Sequence, residues 1–257
     1  LVYLRVSFNT CFNVTASSVT LDCDGRTVEY ANFSSGYGVN ITGVNSTVIR
    51  NCFFLKQNAS VQYASAIYQT LGNNSIFLNN TVNSTGNYSF GIDLRRSNFT
   101  NITNNRINVS SNFSYAVGLG SAGLNNITGN NISTQGGRND YGVNLTGSIL
   151  NLVLNNNITT SGKGNSNSAY GIFLTLSANN NTIANNTVNT TGSGDANYGI
   201  YLFDTVSGNV VSVNTVTTNG TNSNYGIYLI TSANNNSVAN NTIRTSGSDN
   251  DNIGIYL

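Results

Sequence analysis

The 257-residue chain has no histidine, proline, methionine or tryptophan. Without imidazole it can build neither a His-based hydrolytic triad nor a His-ligated metal site. Charged residues are 7% of the chain and the net charge is +1. That argues against nucleic acid or an anionic membrane as partner, since both need clustered Lys and Arg. The adjacent basic pair, Arg95-Arg96, reads as solvated surface. No apolar run approaches the length of a transmembrane helix. No signal peptide is visible and the chain does not begin with Met, so it reads as a processed or partial product.

What is present is a repeat. A Tyr-Gly-Ile-Tyr-Leu phrase recurs from Tyr37 to Ile253, with its small second residue at Gly38, Ala66, Gly91, Ala116, Gly142, Gly171, Gly199, Gly226 and Gly254. Successive gaps are roughly 25 to 29 residues, a solenoid period. A second apolar beat follows an Asn, as in Asn181 before Ile183. A third carries Val82, Ile107, Ile132, Ile158, Val188, Val216 and Ile243, each with Asn two residues before it. These β-branched runs are too short for helices and alternate with period two. Three short strands per period, joined by Asn and Gly corners, describe an all-β, single-stranded right-handed parallel β-helix of about nine coils. It is read as one domain over 1–257, with an N-terminal coil over about 1–30 and repeats over 31–257. Asn suits the corners because it tolerates left-handed backbone and bonds nearby backbone. Stacked Asn side chains can also bond from coil to coil.

Alternation puts Ile92, Ile172, Ile200 and Ile227 in one inward column. The outward column then holds Asn40, Tyr68, Asp93, Gly118, Asn144, Phe173, Tyr201, Tyr228 and Tyr256. Its last four members form an aromatic stripe, which is either a sugar-stacking face or a self-supporting ladder.

Matches to Asn-X-Ser/Thr number about two dozen. Asn79, Asn185 and Asn240 belong to Asn-Asn-Thr corners. Asn83, Asn87, Asn108, Asn112, Asn189 and Asn219 are expected in variable loops with room for an N-linked glycan. The rival reading is that all are corner chemistry. Three cysteines leave at least one outside any bridge within a monomer. A Cys11–Cys23 bridge would staple the N-terminal coil in an oxidising compartment; Cys52 lies about one coil beyond Cys23, so those two can also stack. The alternative is three small buried side chains. With no His and no C-x-x-C, no metal or cofactor is implied.

The segment from Cys11 through Leu21-Asp22-Cys23-Asp24-Gly25, with Tyr37-Gly-Val-Asn-Ile and the residues that follow, resembles the opening coils of right-handed parallel β-helix repeat proteins. The resemblance is to the broad pectate-lyase-like superfamily and the NosD-like surface proteins common in archaea, and it covers essentially the whole chain. It implies the fold and says little about activity, because that superfamily holds lyases, hydrolases, adhesins and surface-layer components.

Lyases and hydrolases of that superfamily use acids clustered on adjacent coils. Asp22 and Asp24 lie in a turn phrase, Asp93 has Tyr68 and Gly118 beside it, and Asp140, Asp195, Asp204, Asp249 and Asp251 are scattered. No paired carboxylates emerge, so a glycosidase lacks its acid and base and the chain reads as non-enzymatic. Asp93 with Arg95 and Arg96 is the one polar constellation on a strand. A calcium loop over 248–252 lacks full ligand spacing and reads as a solvated turn. Apolar alternation at both ends, through Val2, Leu4 and Val6 and through Ile253, Ile255 and Leu257, leads to three expectations. The first is a glycosylated structural subunit of an extracellular filament or cell-surface layer, joined head to tail with itself. The second is a carbohydrate-binding adhesin using Phe173, Tyr201, Tyr228 and Tyr256. The third is a polysaccharide lyase or hydrolase.

Overall fold

A computed structural model describes residues 9–110, 112–136, 138–162, 168–193, 196–248 and 251–257. Among them the chain winds through three parallel sheets of ten, nine and nine strands, each strand pairing with its equivalents one coil away. One coil shows the plan: Ser168–Thr175 lies in the first sheet, Thr182–Ala184 in the second and Thr187–Gly192 in the third. The expected β-helix of three strands per coil is the observed fold.

The inward columns are those the alternation predicts. Ile172 pairs with Ile200 and Ile200 with Ile227, and all three are fully buried with Ile92. The third-sheet column runs from Val82 through Ile107, Ile132, Ile158, Val188 and Val216 to Ile243. Each aliphatic side chain stacks on its own kind in the next coil, so the core is a rod with one period of packing.

The small residue of each Tyr-Gly phrase has a steric cause. A β-carbon on Gly199 would collide with the Val216 side chain across the core and with the Gly226 carbonyl of the next coil. Ladder pairing is recorded for Tyr198 with Tyr225 and for Ile200 with Ile227, and skips the glycine between them. Gly199 and Ile200 therefore both face inward, and Tyr198 and Tyr201 both face out. Strict period-two alternation does not give this.

Asparagine fills the corners in two ways. At the corner before the third sheet, Asn51, Asn79, Asn104, Asn155, Asn185 and Asn240 hold left-handed φ values of 53° to 55°, the backbone region Asn tolerates best after Gly. The residue after each corner turns inward. Asn80, Asn105, Asn130, Asn156, Asn186 and Asn214 are 1–2% exposed and form a buried ladder. Asn156 Oδ1 accepts from Asn130 N at 2.9 Å and from Asn130 Nδ2 at 3.0 Å, and Asn130 Nδ2 also donates to Ile102 O at 2.9 Å. A second ladder, Asn125, Asn151, Asn181, Asn209 and Asn236, repeats this at the corner before the second sheet. Except at the last member, Asn236, each amide spends both donors and its acceptor oxygen inside the protein, which satisfies backbone groups that strands turning a corner would leave bare.

The bridge is Cys23–Cys52, with Cα atoms 4.7 Å apart, and not Cys11–Cys23. Cys11 precedes the first-sheet strand Phe12–Val14, whereas Cys23 follows the second-sheet strand Thr20–Asp22. Only Cys23 and Cys52 are coil-to-coil neighbours. Cys52 also heads the Asn ladder, donating its backbone N–H to Asn80 Oδ1 at 3.1 Å. Closing a loop of 29 residues contributes about 3.5 kcal/mol in the chain-entropy picture. Lys56 is fully buried and its ammonium caps the carbonyls of Asn58, Val61 and Thr85, pinning the first loop to the coil above it.

Two stability measurements follow. Asn156→Ala strips two donors of Asn130 of their acceptor and should cost about 2–4 kcal/mol in urea unfolding. Val213 occupies the corner that Asn fills elsewhere, at φ 57° and 52% exposed. In unglycosylated protein Val213→Asn should gain about 1 kcal/mol, because a β-branched residue is strained there.

Candidate functional site: the outer face of the first sheet

Three outward columns cover the first sheet. One runs Tyr115, Tyr141, Tyr170, Tyr198, Tyr225; the next runs Tyr68, Asp93, Gly118, Asn144, Phe173, Tyr201, Tyr228, Tyr256; the third includes Thr70, Arg95, Gly120 and Thr146. The expected column of Phe173, Tyr201, Tyr228 and Tyr256 is present, with ring centroids 5.2, 5.2 and 5.0 Å apart. Beside it stands a column that alternation missed. Tyr141, Tyr170, Tyr198 and Tyr225 stack at 4.8, 5.2 and 5.5 Å with interplanar angles of 8° to 16°. Tyr198 and Tyr201 also stack across the two columns at 4.7 Å.

Rings one coil apart cover each other's faces, so a sugar ring cannot stack on them one by one. The ladder offers ring edges and phenol hydroxyls instead. Burial first, then neighbouring phenols, push the Tyr198 and Tyr201 hydroxyls above their ordinary value. They stay neutral and act as hydrogen-bond donors and acceptors.

The polar centre lies N-terminal to this ladder. Asp93 faces outward yet is only 4% exposed. Arg95 Nε donates to Asp93 Oδ1 at 2.8 Å, and Arg95 Nη2 donates to Tyr115 Oη at 2.5 Å. Burial raises the Asp93 carboxyl against the opposing pull of the Arg95 charge, and burial together with Asp93 raises the Tyr115 phenol. Two glycines of the next coil make room for the cluster. A β-carbon on Gly118 would collide with the Tyr115 ring, and one on Gly120 would sit 2.6 Å from Arg95 Nη1. The stacked pairs Tyr37–Tyr68 and Phe90–Tyr115, at 4.5 and 4.1 Å, stand beside it. Tyr68, Thr70, Arg95, Arg96, Gly120, Ser121 and Thr146 line a depression of about 380 Å³. Sequence reasoning found Asp93 and Arg95 but not Tyr115. The available signal was Tyr115-Ala-Val-Gly-Leu-Gly120, which puts glycine where other coils carry Asn, Phe, Tyr or Thr.

The other expected sites fall differently. Asn83, Asn108, Asn189 and Asn219 lie within third-sheet strands, not in loops. Asn108 Nδ2 donates to Asn83 Oδ1 at 3.0 Å. Asn87 and Asn112 do lie between strands. The loops expected after the third beat are shorter than the repeat suggests because the third strand itself runs on to Gly162, Gly192 or Gly220. Val2, Leu4 and Val6 lie outside the described residues, as do positions 249 and 250 of the calcium phrase. In the last strand Ile255 pairs with the core residue Ile227, but Ile253 pairs with Tyr225 and so belongs to the outward aromatic column. The inward double step at Gly254 is the reason. Ile255 and Leu257 are 45% and 79% exposed.

Three continuous parallel sheets around one apolar rod define a right-handed parallel β-helix repeat protein, and the comparisons agree. A family model described as "Periplasmic copper-binding protein (NosD)" matches residues 137–255, somewhat under half of the chain. No curated protein matches. Among solved structures, DFA-IIIase from Arthrobacter chlorophenolicus A6 in complex with DFA-III is 13% identical with a TM-score of 0.54, over 94% of this chain and 73% of that one. A mutant of that protein, also with DFA-III, matches at the same identity and TM-score over 84% of this chain and 63% of that one, so this chain spans less than two thirds of it. The form without its lid, in complex with GF2, is 15% identical with a TM-score of 0.55, over 84% and 60%. At such identity the likeness is one of fold. It nevertheless corrects the expectation of a non-enzymatic chain: this solenoid fold is shared with an enzyme.

The copper in the family description does not fit these residues. Copper sites draw on imidazole, thiolate and thioether donors. The matched stretch contains no His, Met or Cys, and among the described residues no three His, Cys, Asp or Glu side chains come together. A place outside the cytoplasm agrees with the family's periplasmic description and with the Cys23–Cys52 bridge. Among the described residues no helix is long and apolar enough to cross a membrane.

Asp140 offers a pH test. It is fully buried at the head of the first-sheet strand Asp140–Thr146, and burial pushes its carboxyl from 3.8 up to about 8, against a backbone contact from Gly136. The folded state therefore holds a proton that the unfolded state has released. Stability is highest below about pH 4 on this account and declines as pH rises through about 8. Asp140→Asn should flatten that slope, raising Tm more at pH 8 than at pH 5.

Proposed function

We propose that this protein binds a carbohydrate chain outside the cytoplasm, along the outer face of the first sheet and across the depression beside Asp93. The observation that carries this reading is the cluster of buried Asp93 and Tyr115 held by the partly exposed Arg95, on a face that is otherwise aromatic edges and hydroxyls. A solenoid's outward residues are ordinarily solvated. Here a carboxylate is sunk out of water, held by a guanidinium and a phenol, and bordered by an open depression. Such sites combine apolar walls with a few oriented polar groups whose ionisation is perturbed.

The ligand chemistry follows from the lining. Arg95, held by Asp93 and Tyr115, and exposed Arg96 supply donors, and Thr70, Ser121 and Thr146 supply hydroxyls that both donate and accept. Tyr68 adds an apolar edge with a polar tip. A chain of hydroxylated rings meets both needs at once. The phenol row from Tyr141 to Tyr225 continues the same face along the axis, so a polymer rather than a monosaccharide suits its length. The enzyme structures of like fold hold DFA-III or GF2, which supports looking for ligands of that kind first. Attachment to a cell surface is a further reading, to be tested by fractionation.

The test is an oligosaccharide array followed by calorimetry with the best ligand. Arg95→Ala should weaken binding at least tenfold, because it removes both contacts that hold Asp93 and Tyr115. Arg96→Asn keeps a residue that tolerates the left-handed φ of 47° and should weaken binding severalfold without altering the fold. Array binding that survives both variants, or no binding to any saccharide, would contradict the proposal.

A further inference from the structure

Where an attached sugar would sit can be judged from the coil. Two sets of sequons contrast in position; others, such as Asn219 in a strand and Asn87 and Asn112 between strands, belong to neither. Asn83, Asn108 and Asn189 lie in third-sheet strands, half-buried. Asn83 and Asn108 are joined by a side-chain hydrogen bond, and neighbouring coils of a sheet are about 4.8 Å apart. A branched sugar on any of these would lie over the columns above and below it.

Asn79, Asn180, Asn185, Asn235 and Asn240 differ in every respect. Each stands at a corner with φ between 53° and 56°, and each is exposed. Their backbone N–H groups join the coil-to-coil ladder where it is recorded, as for Asn180 with Ser207 and Asn185 with Ser212. Their side-chain amides do not take part in the buried ladders, which use the Asn one residue later. Each starts an Asn-Asn-Ser/Thr sequon, and the hydroxyl residues Thr187, Ser237 and Thr242 are exposed as well. The coil holding Asn180 and Asn185 is separated from that holding Asn235 and Asn240 by one coil with Gly208 and Val213 at the corners, a spacing of about 10 Å.

We infer that N-linked glycans are attached at these left-handed corner sequons and not at the half-buried strand sequons Asn83, Asn108 and Asn189. The co-reactant is a lipid-linked oligosaccharide, used by a transferase of the exporting cell. The amide Nδ2 attacks the anomeric carbon; the new bond is Nδ2–C1, the bond broken is C1–O to the lipid phosphate, and the phosphate leaves as the amide loses one proton to a base of the transferase. Attachment before folding leads to the same contrast in folded protein, because the corner side chains stay exposed once the coil has closed whereas Asn83, Asn108 and Asn189 are half-buried. The corner turn thus does two things: its second Asn builds the core ladder and its first carries the modification. This inference does not rest on the saccharide-binding reading.

The experiment is secretion of the full chain from yeast, followed by intact glycopeptide mass spectrometry. Glycans are expected on most of the five corner positions and on none of Asn83, Asn108 and Asn189. Thr242→Ala should remove the glycan at Asn240 alone, with an unchanged far-UV spectrum. Val213→Asn, which completes an Asn-Asn-Thr corner with Asn214 and Thr215, should gain one glycan at position 213. Five unmodified corners, occupied strand positions in folded protein, or no gain from Val213→Asn would each overturn the inference.

Discussion

Everything in this structure depends on how a tightly turning chain disposes of its backbone polar groups. Strands of three residues in the second sheet give little room for pairing, and the corners between sheets point N–H and C=O groups into a dry core. The two buried asparagine ladders resolve this. Each amide links three successive coils: it accepts from the coil before, donates to the coil after, and donates back to a carbonyl in the second-sheet strand of the coil before, as Asn105 does to Phe77. An amide side chain is the smallest group with enough donors and acceptors for the task. Because the ladder runs in one direction and without slippage, it also sets the register of every strand that leaves the corner.

That register produces the outer face. Once Asn80, Asn105 and their successors are aligned, equivalent residues of the first sheet fall in columns, and what a column contains is decided one residue per coil. Aromatic residues in two such columns become a stacked ladder. A single coil that differs, with Gly118 and Gly120 where its neighbours have side chains, becomes a notch in which Asp93, Arg95 and Tyr115 close on each other. The functional candidate is thus a local departure from the repeat, placed by the regularity around it.

The repeat itself was legible in the sequence because each core position recurs with the same residue class. The inward isoleucines and the corner asparagines needed no more than period and alternation. The Tyr198 column escaped because the ladder makes two inward steps at each Tyr-Gly, and nothing in a period-two pattern announces a collision with Val216 across the core. Cys11 is nearer to Cys23 in sequence but lies beside another sheet, whereas Cys52 stacks directly on Cys23. In a solenoid, one coil away in sequence is closer in space than half a coil. Strand lengths misplaced the sequons for a related reason: third-sheet strands extend through polar Thr and Asn, which read as loop. Tyr115 was missed because its role depends on side chains absent from its own strand, at Gly118 and Gly120, and absence of a side chain is a weak signal in a glycine-rich chain.

The periodic scaffold is shared with an enzyme of distant sequence, while the copper chemistry in the matching family's description lacks its donors here. What remains specific to this chain is the face around Asp93. Hydrogen–deuterium exchange of the protein with and without its best-binding oligosaccharide reads that face directly. The account predicts added protection confined to first-sheet strands carrying Thr70, Arg95, Gly120 and Thr146, extending toward Tyr141 and Tyr170 for longer ligands. Protection confined instead to the second or third sheet would contradict it.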